Sequence, residues 1–429
     1  MRDNEWLYRG RLGRFLEELV VPNLYGETAP LDLTSWDVPD EPVPFRTAVA
    51  QEYRPFAVGS GWGRGWSTMW LHATGAVPAE WVEQGWDYEI VVDLGFRVEL
   101  DGGQAEGLAF RPDGSIIKAI EPFNRYLPVE DPAHIDVYLE AAANPEVAVG
   151  GSWQPTPFSS KDTVPDGPLY VLRTFALARR NTEVWELNQD VEVLAGLVEE
   201  IPQHLPRRAE IVVALNAAMD ALDPRDVPGT AAAARAALAG VLASPANASA
   251  HRVVATGHAH IDSAWLWPVR ETVRKCARTF ANVIALSDEH PELVFSCSSA
   301  QQYAWVKRHY PELWGRLKQK VAEGRFVPVG GMWVESDTNM PGSEALARQF
   351  VMGKGFFQRE FGIEPLDVWL PDSFGYSGAL PQVAVAAGSR WFLTQKMSWN
   401  ETNVLPHHTF WWEGIDGTRI FTHLPSVDT

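Results

Sequence analysis

The order of apolar and polar positions divides the chain into four stretches. Residues 1–60 hold a short amphipathic run at 12–21 and then turn rich in proline and acids, which reads as an N-terminal extension packed on its neighbours. Residues 61–180 read as β-structure. Runs 69–73 and 88–92 are short and β-rich, 135–139 alternates with period two, and 170–172 follows. Turn signals lie between them at Asp101-Gly102-Gly103 and Asp113-Gly114. Short strands punctuated in this way predict a sandwich or jelly roll. Over 181–250 the period becomes helical, at 182–200, 208–222 and the Ala-rich 231–242, giving a helical connector.

From 251 the pattern changes again. Apolar strands at 252–256, 293–297, 326–329, 366–370, 391–394 and 420–423 alternate with helical segments at 269–286, 300–323, 343–361 and 380–387. Such alternation predicts a parallel sheet or barrel. Asp416-Gly417, between 409–412 and 419–421, predicts a hairpin turn. The expected fold class is therefore α/β plus β, with a sandwich-like domain over 61–180, a helical connector over 181–250 and an α/β domain over 251–429.

Composition narrows the partners. Across 429 residues, 36 Lys and Arg face 55 Asp and Glu, a net charge of −19. Phosphate backbones and anionic membrane surfaces attract basic proteins, so neither nucleic acid nor a membrane is expected as partner. The only cysteines are Cys276 and Cys297, and the first residues contain no apolar leader. Both observations lead to the expectation of a reducing, cytoplasmic location. The 19 tryptophans offer flat faces that pack sugar rings or fill cores.

In parallel α/β architectures, chemistry collects at the carboxyl ends of the strands. His258, His260 and Asp262 follow the first expected strand, Glu335 and Asp337 the third, and Asp372 the fourth. Gln395 and Lys396 follow the fifth, and His423 and Asp428 the last. If 258–262 is extended, His258, His260 and Asp262 share one side, and imidazole with carboxylate suits a divalent cation such as zinc. Asp372 could act on a ligand or cap the following turn. Glu335 and Asp337 could bind hydroxyl groups or pair with Arg270 or Arg274. Cys276 falls on an apolar helix face, and Cys297 has no evident base beside it.

The segment Gly257-His-Ala-His-Ile-Asp-Ser-Ala-Trp-Leu-Trp-Pro268 resembles the opening signature of glycoside hydrolase family 38 α-mannosidases, nearest to their cytosolic and bacterial branch. Arg270-Glu-Thr-Val-Arg274, Val329-Gly-Gly-Met-Trp-Val-Glu335 and Trp369-Leu-Pro-Asp-Ser-Phe-Gly-Tyr376 are similar too. So are Phe392-Leu-Thr-Gln-Lys-Met-Ser-Trp399 and His407-His-Thr-Phe-Trp-Trp-Glu413. The resemblance implies an incomplete (β/α)7-type barrel and a retaining, metal-dependent α-mannosidase acting on terminal α-mannosides of oligosaccharides. It implies a zinc ion, or another divalent cation such as Co2+, on His260, Asp262 and Asp372, with Asp372 also the nucleophile. Trp265 matches the residue that packs the mannose ring. His258, Glu335 and Asp337 are assigned to substrate contact, and Asp428 to the general acid, whose pKa must be raised, with Glu335 or Asp337 as the alternative acid.

Family members are considerably longer, and their remaining metal ligand, usually a histidine, lies beyond the matched part. The expectation is of a C-terminally truncated chain with weak metal binding and little activity alone, completed by a C-terminal companion chain or a homo-oligomer. Two other readings share the strand-end histidines: another barrel metal hydrolase of amidohydrolase or polysaccharide deacetylase type, and a non-catalytic carbohydrate-binding fragment.

Overall fold

A computed structural model describes residues 5–81, 86–97, 103–145 and 157–425, and the chain divides into two compact units. The first comprises 1–101, 121–143 and 167–253. It holds an antiparallel sheet in which Thr174–Asn181 lies between Tyr25–Pro30 and Trp86–Asp93, with Tyr126–Pro128 beyond the latter. A second antiparallel set runs Arg54–Pro55, Asp32–Asp37, Thr68–Gly75 and Ile135–Ala142. The stretch expected to be an extension thus supplies strands. Period-two burial appears where it was read, with Ile135, Val137 and Leu139 buried and the residues between them half-exposed.

Helices complete this unit. Thr182–Glu200 starts where the Asn181 side chain accepts the Val184 N–H (3.0 Å), and Val227–Leu242 where Asp226 accepts that of Gly229 (3.0 Å). These caps satisfy amide donors that the first helical turn leaves open. Pro206–Ala221 begins on proline, whose missing N–H costs nothing there. Val184, Leu187, Val191, Ile211 and Leu215 pack against Ala231, Ala234 and Leu238, and Leu12, Phe15 and Val20 join the same core. The amphipathic run near the N-terminus therefore has its apolar face covered.

The second unit comprises 102–120, 144–166 and 254–429. Three parallel strands, Gly257–His258, Phe295–Cys297 and Phe326–Pro328, form one sheet. In another, Asp367–Trp369, Trp391–Leu393 and Arg419–His423 run parallel, and Thr409–Glu413 returns antiparallel through the Asp416-Gly417 turn. Gly330, at φ 82°, connects the two: a Cβ there would sit 3.2 Å from Trp369 Cβ, and its N–H donates to Asp367 Oδ2 (2.8 Å). Val368, Leu370, Phe392 and Ile420 form a core with Leu346, Phe350 and Leu380 from the helices Ser343–Phe361 and Leu380–Ala386.

Two expectations need correction. The first strand is Gly257–His258, not 252–256, because pairing to Phe295–Cys297 begins only at Gly257. Val253 and Val254 are more than four-fifths exposed. The single helix read over 300–323 is two, Ala300–His309 and Pro311–Ala322. Pro311 lacks an N–H and forces Tyr310 out of the helical region, to φ −133°, ψ 66°.

Within this unit the hairpin of Glu106–Phe110 and Ile116–Ile120 lies against the helix Val269–Glu289. Glu271, only 3% exposed, accepts from Asn144 (2.8 Å) and pairs with Arg274 (2.9 Å) and Arg278. Lys275 and Arg278 also reach Glu106. Burial alone would raise the Glu271 pKa, but Arg278, Arg274 and Lys275 overcome it and hold the carboxyl down at about 2.

Candidate metal and sugar site

The end of the first parallel strand delivers His258, and the chain then leaves the sheet, so period-two alternation stops there. The expected grouping of His258, His260 and Asp262 on one side does not form. His258 turns inward, with Nδ1 on the Ser296 carbonyl (2.8 Å) and its ring 5.2 Å from that of Trp369. A carbonyl only accepts, so Nδ1 carries the proton, and burial lowers the pKa of the ring.

His260 and Asp262 instead meet Asp372, which follows the strand Asp367–Trp369. One donor atom from each of the three lies within 4.8 Å of the others. His260 Nε2 is 3.3 Å from Asp262 Oδ1 and 3.7 Å from Asp372 Oδ2. The loop is pinned by Gln302, whose side-chain amide donates to the Ile261 carbonyl (2.7 Å).

His260 is oriented from behind. Its Nδ1 contacts Glu335 Oε2 at 2.6 Å, leaving Nε2 to face the two aspartates. Glu335 is itself fixed from the end of the second strand: the Ser298 hydroxyl donates to its other oxygen, and its N–H donates to Ser299 Oγ (3.1 Å). Ser299 holds a left-handed φ of 64°, unusual outside glycine, at the start of the next helix. Burial opposes charge on His260, yet hydrogen bonds to Asp262 and Glu335, and their Coulomb attraction, raise its pKa to about 10.

The donor set fits a dication on chemical grounds. One imidazole nitrogen and two carboxylates suit zinc-like ions, and a carboxylate behind the imidazole is the usual outer partner of a metal-bound histidine. The anionic surroundings that hold a proton on His260 would equally hold a divalent ion, with loss of that proton.

The remaining expected residues fall differently. Trp265 is 45% exposed and meets Trp267 edge-on at 5.1 Å. Trp267 is anchored by its Nε1–H to Thr272 Oγ1 (3.0 Å) and by Lys275 over its ring. Asp337 is exposed and accepts from the N–H groups of Asn339 and Met340 (both 2.7 Å), a local turn rather than part of the cluster. Neither Glu335 nor Asp337 takes the salt bridge to Arg270 or Arg274 weighed as an alternative to hydroxyl binding; Arg274 belongs to Glu271. Cys276 and Cys297 are buried, which pushes both thiols up and leaves them unsuited to nucleophilic work. Asp428 lies outside the described residues.

One residue close to the cluster carried no role in the sequence reading. Lys396 Nζ lies 2.5 Å from Asp372 Oδ1. The detectable signal was a lysine just past a strand end with an aromatic residue three positions on, Trp399, in a single helical turn.

Comparison with known proteins follows the same division. Residues 250–428 match the model of the glycosyl hydrolases family 38 N-terminal domain, and residues 29–189 that of an alpha-mannosidase jelly roll domain. Human Alpha-mannosidase 2C1 is 38% identical over 415 residues, which is 95% of this chain and 38% of that protein. Alpha-mannosidase G of Dictyostelium discoideum is 33% identical over 98% of this chain and 38% of its own length. An Alpha-mannosidase of Saccharomyces cerevisiae is 32% identical over 88% of this chain and 35% of its own. The chain therefore spans little more than a third of the length of the curated relatives it matches.

Proposed function

We propose that the chain is a member of glycosyl hydrolase family 38 and that its second unit forms the metal-binding part of a retaining α-mannosidase site for terminal α-mannosides of oligosaccharides. The observation that carries this reading is the convergence of His260 Nε2, Asp262 and Asp372 within 4.8 Å at the ends of parallel strands, with Glu335 behind the histidine. Parallel strands alternating with helices are compatible with part of a (β/α)7-type barrel. Zinc, or cobalt in its place, would sit on these three side chains and supply Lewis-acid grip on the 2- and 3-hydroxyls of mannose.

The protein's own residues do the rest. Asp262 and Asp372 would offer carboxylate oxygens to the cation, and Asp372 would also serve as nucleophile. Asp372 attacks the anomeric carbon as the glycosidic oxygen departs with a proton from the general acid, giving a glycosyl ester that water later cleaves with net retention. Trp265 offers an exposed indole face for the apolar side of the sugar ring. His258 and Asp337 contact substrate, and Asp428 is the candidate acid. Cytoplasmic residence agrees with two buried free cysteines and with the lack, among the described residues, of any helix long and apolar enough to cross a membrane.

The test is a titration of the cobalt-loaded chain with mannose and with glucose, read in the visible bands of the metal. Mannose, with its cis 2,3-diol, is expected to shift them and glucose to do so far less. Equal or absent responses to both sugars would remove mannose recognition from the account.

A further inference from the structure

The carboxylate of Asp372 is shared between two neighbours. Its Oδ1 lies 2.5 Å from Lys396 Nζ, and its Oδ2 faces His260 Nε2 at 3.7 Å. Lys396 is only 7% exposed, and its ammonium sits 3.5 Å from the ring centroid of Trp399 and 4.4 Å from that of Phe374. Two aromatic faces hold a cation in place while restricting water around it. The same brace fixes both ends of the pair. Thr394 Oγ1 accepts the Lys396 N–H (3.3 Å) and contacts the Tyr376 hydroxyl, and that hydroxyl donates to the Leu370 carbonyl (3.0 Å), two residues before Asp372.

We propose that Lys396 is a positioning residue that reserves Asp372 Oδ1, so that the metal is ligated through Oδ2 alone. The inference rests on the metal-site reading above and adds how the carboxylate is divided. Lysine is a compact point charge, and a charge-assisted contact competes with a dication for the same oxygen. Without it, both oxygens of Asp372 would be open to chelation and a fixed positive charge would be gone from the ion's surroundings. Lys396 thus trades metal affinity for an oxygen kept off the metal and available to the sugar.

The test is zinc affinity of this chain, by competition with a chromophoric chelator, in wild type, Lys396→Met, Lys396→Gln, Lys396→Arg and Asp262→Ala. Lys396→Met and Lys396→Gln are expected to bind zinc at least about fivefold more tightly, the direction set by removing a nearby like charge. Lys396→Arg keeps a donor on Oδ1 and should stay within about twofold of wild type. Unchanged or weaker zinc binding in whichever of the Met and Gln variants melts like wild type overturns the proposal. If Asp262→Ala abolishes zinc binding in the same assay, that failure belongs to Lys396 alone. If Asp262→Ala binds zinc like wild type, the metal site itself falls and this inference with it.

Discussion

Two groups of charged side chains in the second unit make an instructive pair. Around Glu271, two carboxylates meet three cationic side chains, Arg274, Lys275 and Arg278, and an amide from Asn144. The side chains of Glu271 and Arg278 are 3% and 4% exposed, so this ion pair is closed within the protein. Around His260, three carboxylates of Asp262, Glu335 and Asp372 face one imidazole and one lysine. Asp262 and Asp372 keep about a third of their side-chain surface exposed. The first group needs nothing from outside. The second has negative charge in excess and an opening through which a cation and a hydroxylated ligand can reach it. The contrast separates charge used to hold a fold from charge arranged for a ligand.

The sharpest way to break this distinction is to treat both groups alike. Glu271→Ala removes a buried anion from beside Arg274, Lys275 and Arg278 and should cost about 3–5 kcal/mol in chemical denaturation. Asp262→Ala relieves repulsion among acids and should change stability by less than about 1 kcal/mol. Similar losses in both variants would contradict the division.

Acid titration sharpens the same point. The folded pKa of Glu271, about 2, lies below its ordinary value of 4.5, so its stabilisation is present above pH 4.5 and is lost as pH falls through 2. Wild type should lose roughly 3 kcal/mol more than Glu271→Gln over that interval. Parallel stability curves would show that the carboxylate is not held by its cations.

A smaller effect probes the other group. Glu335→Gln leaves His260 a neutral partner in place of an anionic one and should weaken zinc binding about 10- to 100-fold with little change in melting temperature. Unaltered affinity would detach Glu335 from the metal and return it to direct substrate contact.

Much of the frame was legible beforehand. The helix read at 343–361 is Ser343–Phe361, four of the six apolar runs after 251 contain the strands found there, and a fifth, 420–423, falls inside Arg419–His423. Periodicity reports burial on one face, which these elements have. It failed at 252–256, where valines that look like a strand have no neighbour to pair with. Strand ends are where His260, Asp262 and Asp372 were sought, and one donor atom from each lies within 4.8 Å of the others. What each side chain touches was not legible. Glu335 looked like a hydroxyl binder and stands behind His260, while Lys396 was simply a polar residue at a strand end. The Glu271 group was hidden for the opposite reason, since Lys275 and Arg278 meet a second carboxylate, Glu106, on a hairpin more than a hundred residues earlier.

The central claim is that His260, Asp262 and Asp372 hold one cation together. The most direct measurement is zinc content per chain, after dialysis against limiting zinc, in wild type, His260→Ala, Asp262→Ala and Asp372→Ala. The account predicts bound zinc in wild type and loss of most of it in every variant. Wild-type zinc content in all three would contradict it.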